Sequence, residues 1–471
     1  MALRDYQLKA VEDVRAEYRR GVRSVCLVMP TGAGKTKTAA IGMVTPAVAK
    51  GRRVIWVVNR IDLVDQAADV LTGIGLTVGA VCAGARTPPQ PFAPVQIATP
   101  QTLLARAERP PADFVIADEA HHFASARFAE VLQAYPAAHV LGLTATPERG
   151  DGIGLGSVFR ALVLGPTVAQ LTQLGHLTPA EILRPAGKLR PGQIAQRPVD
   201  VYLQHARGRR ALVFSTAKLL AERVRDDFRA AGLGCELVVD STPGSERRRH
   251  FAALAAGEIA ALSGVGVFTE GFDLPAVDCV ILSRFFGHSG GYLQAVGRAL
   301  RPSPGKSDAL ILDLTGTSHD HGLPTDERLY SLDGRGIRRG DGEPEINQAF
   351  CRVCGAPATP GEACPECGTE PRTQDVTVTG EKIDRYAGMK KQPDDKRIAN
   401  LAGWLVVQRT AKKKDGSPYS VRWAAVKYQA LYGEWPPPGI MSAALEKSRE
   451  KQTAVDDGKT PGNRDSIAGD A

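Results

Sequence analysis

The sequence predicts an α/β protein with two parallel-sheet lobes in tandem, followed by a small cysteine-rich segment and a small C-terminal module. Three observations support this fold class. Short apolar segments alternate with amphipathic helical segments along the first 330 residues, as in parallel sheets covered by helices. A glycine-rich turn joins one strand to a helix, and polar residues follow other strands. Ligands bind at the carboxyl ends of such strands, so these turns hold the candidate functional residues.

Length and charge set broad limits. The chain has 471 residues, which is enough for roughly two to four domains. Its net charge of +8 suits a polyanionic partner without requiring one. No run of eighteen apolar residues and no signal-peptide core are present, so we expect no membrane span. Four scattered cysteines are predicted to be reduced core residues of a cytoplasmic protein: Cys26, Cys82, Cys235 and Cys279.

The first predicted lobe covers residues 1–165. An amphipathic helix is predicted from Arg4 to about Arg20. Apolar strands and amphipathic helices then alternate. The predicted strands are 24–29, 53–58, 95–99, 114–117 and 140–143, and the predicted helices are 37–49 and 61–71.

A phosphate-binding loop is predicted between the first strand and the next helix. Its glycines let backbone N–H groups curl around an anion, and the helix N-terminus adds a positive field. The lysine would contact the β- and γ-phosphates, and the following threonine would ligate Mg²⁺. An accidental glycine turn is the alternative, and Met29 replaces the first glycine of the usual pattern. The loop comprises Pro30, Thr31, Gly32, Ala33, Gly34, Lys35 and Thr36.

Two further polar segments follow strands of this lobe. Asp118 and Glu119 end the strand at 114–117, where one carboxylate can hold Mg²⁺ and the other can activate water. The alternative is an acidic helix N-terminus. Residues 144–146, Thr-Ala-Thr, could hydrogen bond the acidic segment, or could simply cap a helix.

The second predicted lobe covers residues 166–330, with a Pro- and Gly-rich interlobe linker over 185–198. Strands are predicted at 211–215, 235–239, 277–282 and 309–313, with helices at 199–205, 217–231, 244–256 and 291–299. This lobe lacks a phosphate loop, so we expect it to complete the first lobe's site. Arg298 and Arg301 are predicted on one helix face, where they can stabilise a transferring phosphoryl group. A solvated basic helix end is the alternative.

These segments, in this order, resemble the motifs of a superfamily 2 helicase of the DEAH type. Residues 30–36, 118–121 and 144–146 resemble motifs I, II and III, and residues 292–301, Tyr-Leu-Gln-Ala-Val-Gly-Arg-Ala-Leu-Arg, resemble motif VI. Residues 268–273 resemble motif V, and 214–216 weakly resemble motif IV. The resemblance covers about residues 3–302 and implies two RecA-like lobes with ATP between them and a nucleic-acid strand across both.

The resemblance also implies roles for single residues. Arg4 and Gln7 fall in the adenine-reading element, Asp273 would approach the nucleotide, and Gln294 would lie near His121. The implied nucleic-acid contacts are Asn59, Arg60, Thr99, Pro100 and Thr269. The implied catalytic residues are Lys35, Asp118, Glu119, Gln294, Arg298 and Arg301.

Four cysteines within residues 345–372 form two Cys-x-x-Cys pairs nine residues apart, each followed by glycine. This spacing favours a closed tetrahedral Zn²⁺ site, a zinc ribbon. Redox disulfides and an iron–sulfur centre are the alternatives. The ribbon could contact DNA or only stabilise a small fold. The predicted ligands are Cys351, Cys354, Cys364 and Cys367.

Residues 373–446 combine aromatic and basic side chains, including Trp404, Trp423, Trp435 and three consecutive lysines at 412–414. These could stack on bases, although a small module with an aromatic core is favoured slightly. Residues 447–471 are polar and mixed in charge, which predicts disorder.

Helicase lobes followed by a four-cysteine ribbon resemble RadD-like and phage-encoded DNA helicases. The sequence therefore predicts an ATP-dependent DNA helicase or translocase that uses ATP, Mg²⁺ and Zn²⁺, with repair or replication proteins as possible partners. The alternatives are a duplex translocase that never separates strands, an RNA helicase, and a nucleic-acid-binding scaffold with a dormant motor.

Overall fold

The computed structural model describes residues 2–124, 126–147, 154–190, 192–268, 274–326, 328, 330–333, 349–350, 357–358, 376–386, 401, 441 and 444. The chain divides into two compact units, Met1–Tyr386 and Ala387–Ala471. In the second unit the described residues are Leu401, Met441 and Ala444, which are helical and buried. The four predicted zinc ligands, the motif V residues Thr269 and Asp273, and the predicted tail lie outside the described residues.

The first lobe is a seven-stranded parallel sheet with helices on its faces. Its strands are β1 (Ser24–Val28), β2 (Val54–Val57), β3 (Val78–Val81), β4 (Val95–Ala98), β5 (Phe114–Asp118), β6 (His139–Thr144) and β7 (Ala161–Leu164). Its helices are α1 (Asp5–Arg19), α2 (Lys35–Ala39), α3 (Thr45–Ala49), α4 (Ile61–Gly73), α5 (Pro100–Leu104) and α6 (Ala126–Gln133). A π-helical turn, Ala40–Val44, joins α2 to α3, and a 3₁₀ turn, Ala120–Ala124, follows β5.

Apart from the edge strand β7, the strands of this sheet are buried along most of their length, as expected for a parallel sheet covered on both faces. All four residues of β2 are buried, and Trp56 at its centre is fully buried. The strand order is β3-β4-β2-β5-β6-β1-β7, and every pairing is parallel. The carboxyl ends of β1, β5 and β6 therefore meet at one edge, where the polar segments predicted from the sequence begin.

The second lobe is another seven-stranded sheet, in the order β11-β12-β10-β13-β14-β8-β18. Its strands are β8 (Ala180–Pro185), β10 (Ala211–Phe214), β11 (Cys235–Val238), β12 (Ala261–Gly264), β13 (Cys279–Leu282), β14 (Ala309–Asp313) and β18 (Ile383–Arg385). Its helices, with α7 leading in from the first lobe, are α7 (Val168–Gln173), α8 (Pro198–Val201), α9 (Lys218–Ala230), α10 (Gly244–Ala256), α11 (Ser289–Gly297) and α12 (Ser318–His321). A π-helical turn, Tyr202–Ala206, extends α8.

Two short pairs of strands accompany the lobes. The strands β15 (Ala349–Phe350) and β16 (Pro357–Ala358) pair antiparallel, and β17 (Thr377–Val378) pairs in parallel with β9 (Gln193–Ile194). The predicted fold class, two parallel-sheet α/β lobes in tandem, is confirmed.

The two sheets have the same strand order once the strands of each are numbered along the chain. The last strand differs, because β7 is parallel to β1 whereas β18 is antiparallel to β8. In addition, β18 comes from residues 383–385, beyond the cysteine segment. The second sheet therefore recruits residues from both sides of that segment, an arrangement that the sequence did not predict.

The interlobe linker predicted over 185–198 is wrong. Residue 185 ends β8 inside the second sheet, and Ile194 and Ala195 are buried in that lobe's core. The chain passes between the sheets earlier, between β7 and β8. A composition rich in proline and glycine correctly indicates irregular backbone, but it does not reveal whether that backbone packs.

A crossing segment, residues 322–333, runs from the second lobe back to the first. At its start the Tyr292 hydroxyl donates to the Gly322 carbonyl (3.1 Å), and the Arg328 guanidinium donates to the His321 carbonyl (2.6 Å). At its end the Gly156 N–H donates to the Leu332 carbonyl (2.8 Å), and Leu332 packs against the first lobe's core. The chain thus connects the two lobes twice.

Candidate nucleotide site between the two lobes

The loop after β1 has the backbone of an anion cradle. Gly32 has φ 87° and Gly34 has φ 79°, a left-handed conformation that favours glycine. A Cβ on Gly34 would lie 2.7 Å from the Gln7 Nε2 atom, and one on Gly32 would lie 3.3 Å from the Arg301 Cγ atom. Glycine is therefore required at both positions, by conformation and by space. Helix α2 then begins at Lys35, as the phosphate-loop prediction requires.

Helix α1 packs against the tip of this loop. The Tyr6 hydroxyl donates to the Ala33 carbonyl (3.0 Å), and the Gln7 Nε2 atom donates to the same carbonyl (3.3 Å). The Gln7 Oε1 atom accepts from the Arg4 backbone N–H (3.0 Å). Gln7 is buried, and both ends of its amide are engaged within the protein. Its predicted role in reading the base stays a prediction.

Lys35 lies among charges of both signs. Its ammonium donates to the Met29 carbonyl (3.2 Å). Desolvation lowers the pKa of Lys35, whereas the charges of Glu119 and Asp118 raise it. The charges of Arg301 and Arg298 lower the pKa of Lys35 further, so both arginines of the second lobe are close enough to act on this ammonium.

The acidic pair follows β5 at the same edge. The Asp118 carboxylate accepts from the Trp56 Nε1 atom (3.3 Å) and from the Glu119 backbone N–H (3.0 Å). Burial and the Glu119 charge raise the pKa of Asp118 to about 7, against the opposing charge of Lys35. The two crowded carboxylates supply oxygen donors of the kind that Mg²⁺ prefers. The residues present therefore fit a Mg²⁺–nucleotide complex.

Glu119 has an unusual backbone. Among the residues that the structure describes, Glu119 is the one non-glycine residue with a positive φ, which is 50°. For such a residue the left-handed conformation costs about 1–2 kcal/mol. Strain of this kind is often retained at functional sites because it aims a side chain. Here the Glu119 carboxylate lies 3.5 Å from the His121 Nδ1 atom.

The third polar segment connects to the second through His121. The His121 Nδ1 atom lies 3.2 Å from the Thr144 hydroxyl, which donates to the Thr146 carbonyl (2.7 Å). Thr144 and Thr146 are both buried. The contact expected between the threonine segment and the acidic segment is therefore present, and it runs through the histidine.

The second lobe reaches this carboxylate across the cleft. The Gln294 Nε2 atom, on helix α11, donates to the Glu119 Oε2 atom (3.4 Å). The sequence analysis expected Gln294 beside His121. In the structure its hydrogen bond goes to Glu119, which His121 also approaches, so one carboxylate is shared between a residue of each lobe.

The arrangement of the two arginines differs from the prediction. Helix α11 ends at Gly297, so Arg298 lies in the turn that follows and Arg301 lies beyond it. The expectation that both lie on one helix face is therefore wrong. The turn still packs on the phosphate loop, because a Cβ added to Gly297 would lie 2.7 Å from the Thr31 Cβ atom. The charges of both arginines act on Lys35 of that loop.

The predicted nucleic-acid contacts lie in different environments. Thr99 and Pro100 are buried, and the Thr99 hydroxyl shares a hydrogen bond with Thr102 (3.0 Å), so their contact with a strand stays a prediction. Asn59 and Arg60 are half-buried. The Arg60 guanidinium pairs with the Asp240 carboxylate of the second lobe (3.1 Å).

Two contributors were missed by the sequence analysis. Trp56, in the middle of an apolar strand, donates to Asp118, and no sequence pattern distinguishes it from a core residue. Asp240 follows β11 and bonds Arg60 across the lobes, which only tertiary structure reveals.

Within the described part of the chain, no group of three or more His, Cys, Asp or Glu side chains is arranged to hold a metal ion. In the same residues, every helix is too short or too polar to span a bilayer.

Two family models match the chain, one in each lobe. The family described as "Type III restriction enzyme, res subunit" matches residues 1–149. The family described as "Helicase conserved C-terminal domain" matches residues 195–303. The two matches contain the phosphate loop and acidic pair in one case, and Gln294, Arg298 and Arg301 in the other.

Individual relatives cover much of the chain at low identity. A 51.5 kDa protein of a Lactococcus phage (isolate 7-9) is 24% identical over 424 residues, which cover 83% of this chain and 89% of that protein. The Saccharomyces cerevisiae protein IRC3, whose name assigns it to the ATP-dependent helicases, is 26% identical over 67% of this chain. The chain spans about half the length of IRC3, 52%.

A solved structure is also similar in fold. The ATP-dependent Type ISP restriction-modification enzyme LlaBIII, bound to DNA, has a TM-score of 0.53 and 19% identity, over 66% of this chain and 27% of that one. At this identity the likeness concerns the fold alone. The res-subunit model in the first lobe, the helicase C-terminal model in the second and a nucleotide site assembled from both lobes lead to one conclusion: the chain belongs to the superfamily 2 helicases, a class of ATP-hydrolysing nucleic-acid motors.

Proposed function

We propose that this protein is a DNA helicase or translocase of the DEAH type, in which ATP hydrolysis between the two lobes drives movement along DNA. The observation that carries the proposal is the hydrogen bond from Gln294 to Glu119 across the cleft. This bond connects Glu119, which is proposed to activate water, with the lobe that would supply the arginines. Hydrolysis would therefore depend on the relative position of the lobes, which is what a motor requires.

Each residue of the site has a proposed part in hydrolysis. Backbone N–H groups of the phosphate loop and the Lys35 ammonium would bind the phosphates. Glu119, oriented by His121 and Gln294, would accept a proton from the attacking water. Arg298 and Arg301 would stabilise the negative charge that develops on the transferring phosphoryl group.

Thr36 and Asp118 are the residues that would hold Mg²⁺, as the pattern of the loop and the position of Asp118 at the end of β5 support. The ion would neutralise charge on the phosphate oxygens. Trp56 and the Glu119 N–H would keep the Asp118 carboxylate in place through their two hydrogen bonds.

The test is steady-state ATP hydrolysis by the full chain, without polymer and then with single-stranded DNA, duplex DNA and RNA. We expect low basal turnover and strong stimulation by DNA. The variant Glu119→Gln, which keeps the hydrogen-bonding shape but loses the base, should lower turnover about 10²–10⁴-fold. If Glu119→Gln hydrolyses ATP as fast as the unchanged protein, the proposal is contradicted.

The polymer that stimulates hydrolysis separates the alternatives. Stimulation by single-stranded DNA favours strand separation and calls for unwinding assays of both polarities. Stimulation by duplex alone favours a translocase, and stimulation by RNA alone favours an RNA helicase. No hydrolysis with any polymer would identify a nucleic-acid-binding scaffold with a dormant motor.

Two further predictions concern the cysteine segment and the cellular location of the protein. We propose that Cys351, Cys354, Cys364 and Cys367 bind one Zn²⁺ in a ribbon of the RadD-like type, supported by their spacing. Metal analysis should find about one zinc per chain, and Cys351→Ser with Cys354→Ser should abolish it. Iron with acid-labile sulfide would overturn this proposal.

Four free thiols elsewhere in the chain support a reducing, cytoplasmic location.

A further inference from the structure

Lys306 lies in the loop between the Arg301 turn and β14, and its ammonium joins two loops of the second lobe. The Lys306 Nζ atom donates to the carbonyl of Arg301 (2.7 Å), of Val277 (2.5 Å) and of Pro275 (3.3 Å). A lysine ammonium has three N–H groups, so these three carbonyls use its full donor capacity. The sequence analysis did not single out this residue.

The ammonium is held in an unfavourable setting. Burial lowers the pKa of Lys306 to about 8, and the charges of Arg301 and Arg209 act in the same direction. The two nearby acids are engaged elsewhere: the Asp308 carboxylate bonds Arg209 (2.7 Å), and the Asp278 carboxylate accepts from the Arg210 backbone N–H (2.7 Å). Burial of the ammonium thus costs desolvation free energy, and its bonds to main-chain carbonyls offset that cost.

The position of those carbonyls indicates what the bonds achieve. One belongs to Arg301, whose Cγ atom lies beside Gly32 of the phosphate loop and whose charge acts on Lys35. The other two belong to the segment immediately before β13. Arg301 lies beyond the end of α11, and its carbonyl accepts from the Lys306 ammonium. Lys306 therefore ties the main chain of Arg301 to the segment before β13.

We propose that Lys306 is a positioning residue for Arg301, holding the backbone from which the Arg301 guanidinium reaches the phosphate loop. This inference rests on the proposed role of Arg301 in ATP hydrolysis. It predicts that Lys306 acts on turnover through Arg301, and that it has no separate part in nucleotide binding.

The test compares four variants of the full chain in DNA-stimulated ATP hydrolysis: Lys306→Met, Arg301→Ala, the double variant, and Arg209→Met. Lys306→Met keeps the length of the side chain but removes its donors. A loss of positioning of about 1 Å costs on the order of 10²-fold in rate, so we expect kcat to fall roughly 10- to 100-fold. The KM for ATP should change less than about threefold, since phosphate binding by Lys35 is untouched.

The double variant distinguishes positioning from general destabilisation. If Lys306 acts through Arg301, the double variant should be as slow as Arg301→Ala alone, within about twofold. Arg209→Met removes another partly buried cation of this lobe, one that bonds Asp308 and not Arg301. It should lower the melting temperature without lowering kcat. Lys306→Leu, which also removes the donors, serves if the methionine variant fails to fold.

Three outcomes are decisive. Unchanged kcat in Lys306→Met (or in Lys306→Leu, where that variant replaces it), together with a slow Arg301→Ala, would overturn the inference and leave the proposed function standing. Losses that multiply in the double variant would also overturn it, because Lys306 would then act elsewhere. Unchanged kcat in Arg301→Ala would instead contradict the proposed role of Arg301, and with it the basis of the inference.

Discussion

The two lobes have the same strand order and hold opposite halves of one site. β1 and β8 occupy the same place in their sheets. After β1 the chain forms a cradle with left-handed Gly32 and Gly34 and enters helix α2 at once. After β8 it passes through the short strand β9 before α8 begins at Pro198. A phosphate site therefore depends on the loop that follows a strand, and the sheet alone does not provide one.

The same comparison holds for charge. In the first lobe β5 ends at Asp118, with Glu119 next, whereas its counterpart β13 is followed by Ser283 and Arg284. The second lobe contributes Gln294 and the arginines, from α11 and the turn after it. The acidic pair lies on one lobe and these donors lie on the other, so the site is complete only when the lobes meet.

The division of the site between the two lobes is tested most strongly by removing a donor from the second lobe. Arg298→Gln should lower DNA-stimulated ATP hydrolysis by roughly 10³–10⁵-fold, because an arginine that neutralises the transferring phosphoryl group is lost. Steady-state turnover measures this directly. The control is Arg229→Gln, since Arg229 bonds Glu236 on the surface of the same lobe. A loss under tenfold in Arg298→Gln would mean that the lobes do not divide the chemistry in this way.

A second test changes the loop that only the first lobe has. Gly34→Ala should weaken ATP binding by at least about tenfold, because a left-handed alanine costs about 1–2 kcal/mol and its Cβ would press on Gln7. Fluorescent-nucleotide titration and thermal unfolding measure the two effects. Gly257→Ala is matched, since Gly257 has φ 77° at the end of α10. It should lose stability but keep ATP affinity; equal loss of affinity in both would contradict the assignment.

A third test acts on the meeting surface of the lobes. Gly297→Ala places a methyl group against Thr31 of the other lobe and should lower kcat about tenfold by holding the lobes apart. In Gly291→Ala the new methyl group meets His288 and Phe286 of its own lobe, so it controls for local crowding. Turnover with saturating DNA is the measurement. A larger loss in Gly291→Ala than in Gly297→Ala would show that the interlobe contact is not limiting.

The smallest expected effect concerns the ion pair between the lobes. Asp240→Asn releases Arg60 and should tighten binding of single-stranded DNA about two- to fourfold at low salt, because exposed pairs contribute only about 0–1 kcal/mol. Fluorescence anisotropy at two salt concentrations measures it. Asp69→Asn removes the same charge from an exposed pair with Arg86 inside the first lobe. If both variants bind equally tightly, net charge and not the release of Arg60 explains the change.

The sequence by itself determined the fold class and the core of the nucleotide site. Alternating apolar strands and amphipathic helices predict the two sheets because the periodicity of each element is local. The phosphate loop and the Asp118–Glu119 pair could also be predicted from the sequence. Each is a contiguous segment at the end of a strand, and its chemistry depends on neighbours in sequence.

Only the tertiary structure decided which distant residues meet. It brought Gln294 to Glu119, Trp56 to Asp118 and Lys306 to the Arg301 carbonyl. It also returned residues 383–385 to the second sheet and buried Thr99 and Pro100. Burial and pairing between residues far apart in sequence depend on packing of the whole lobe, and no local pattern encodes them.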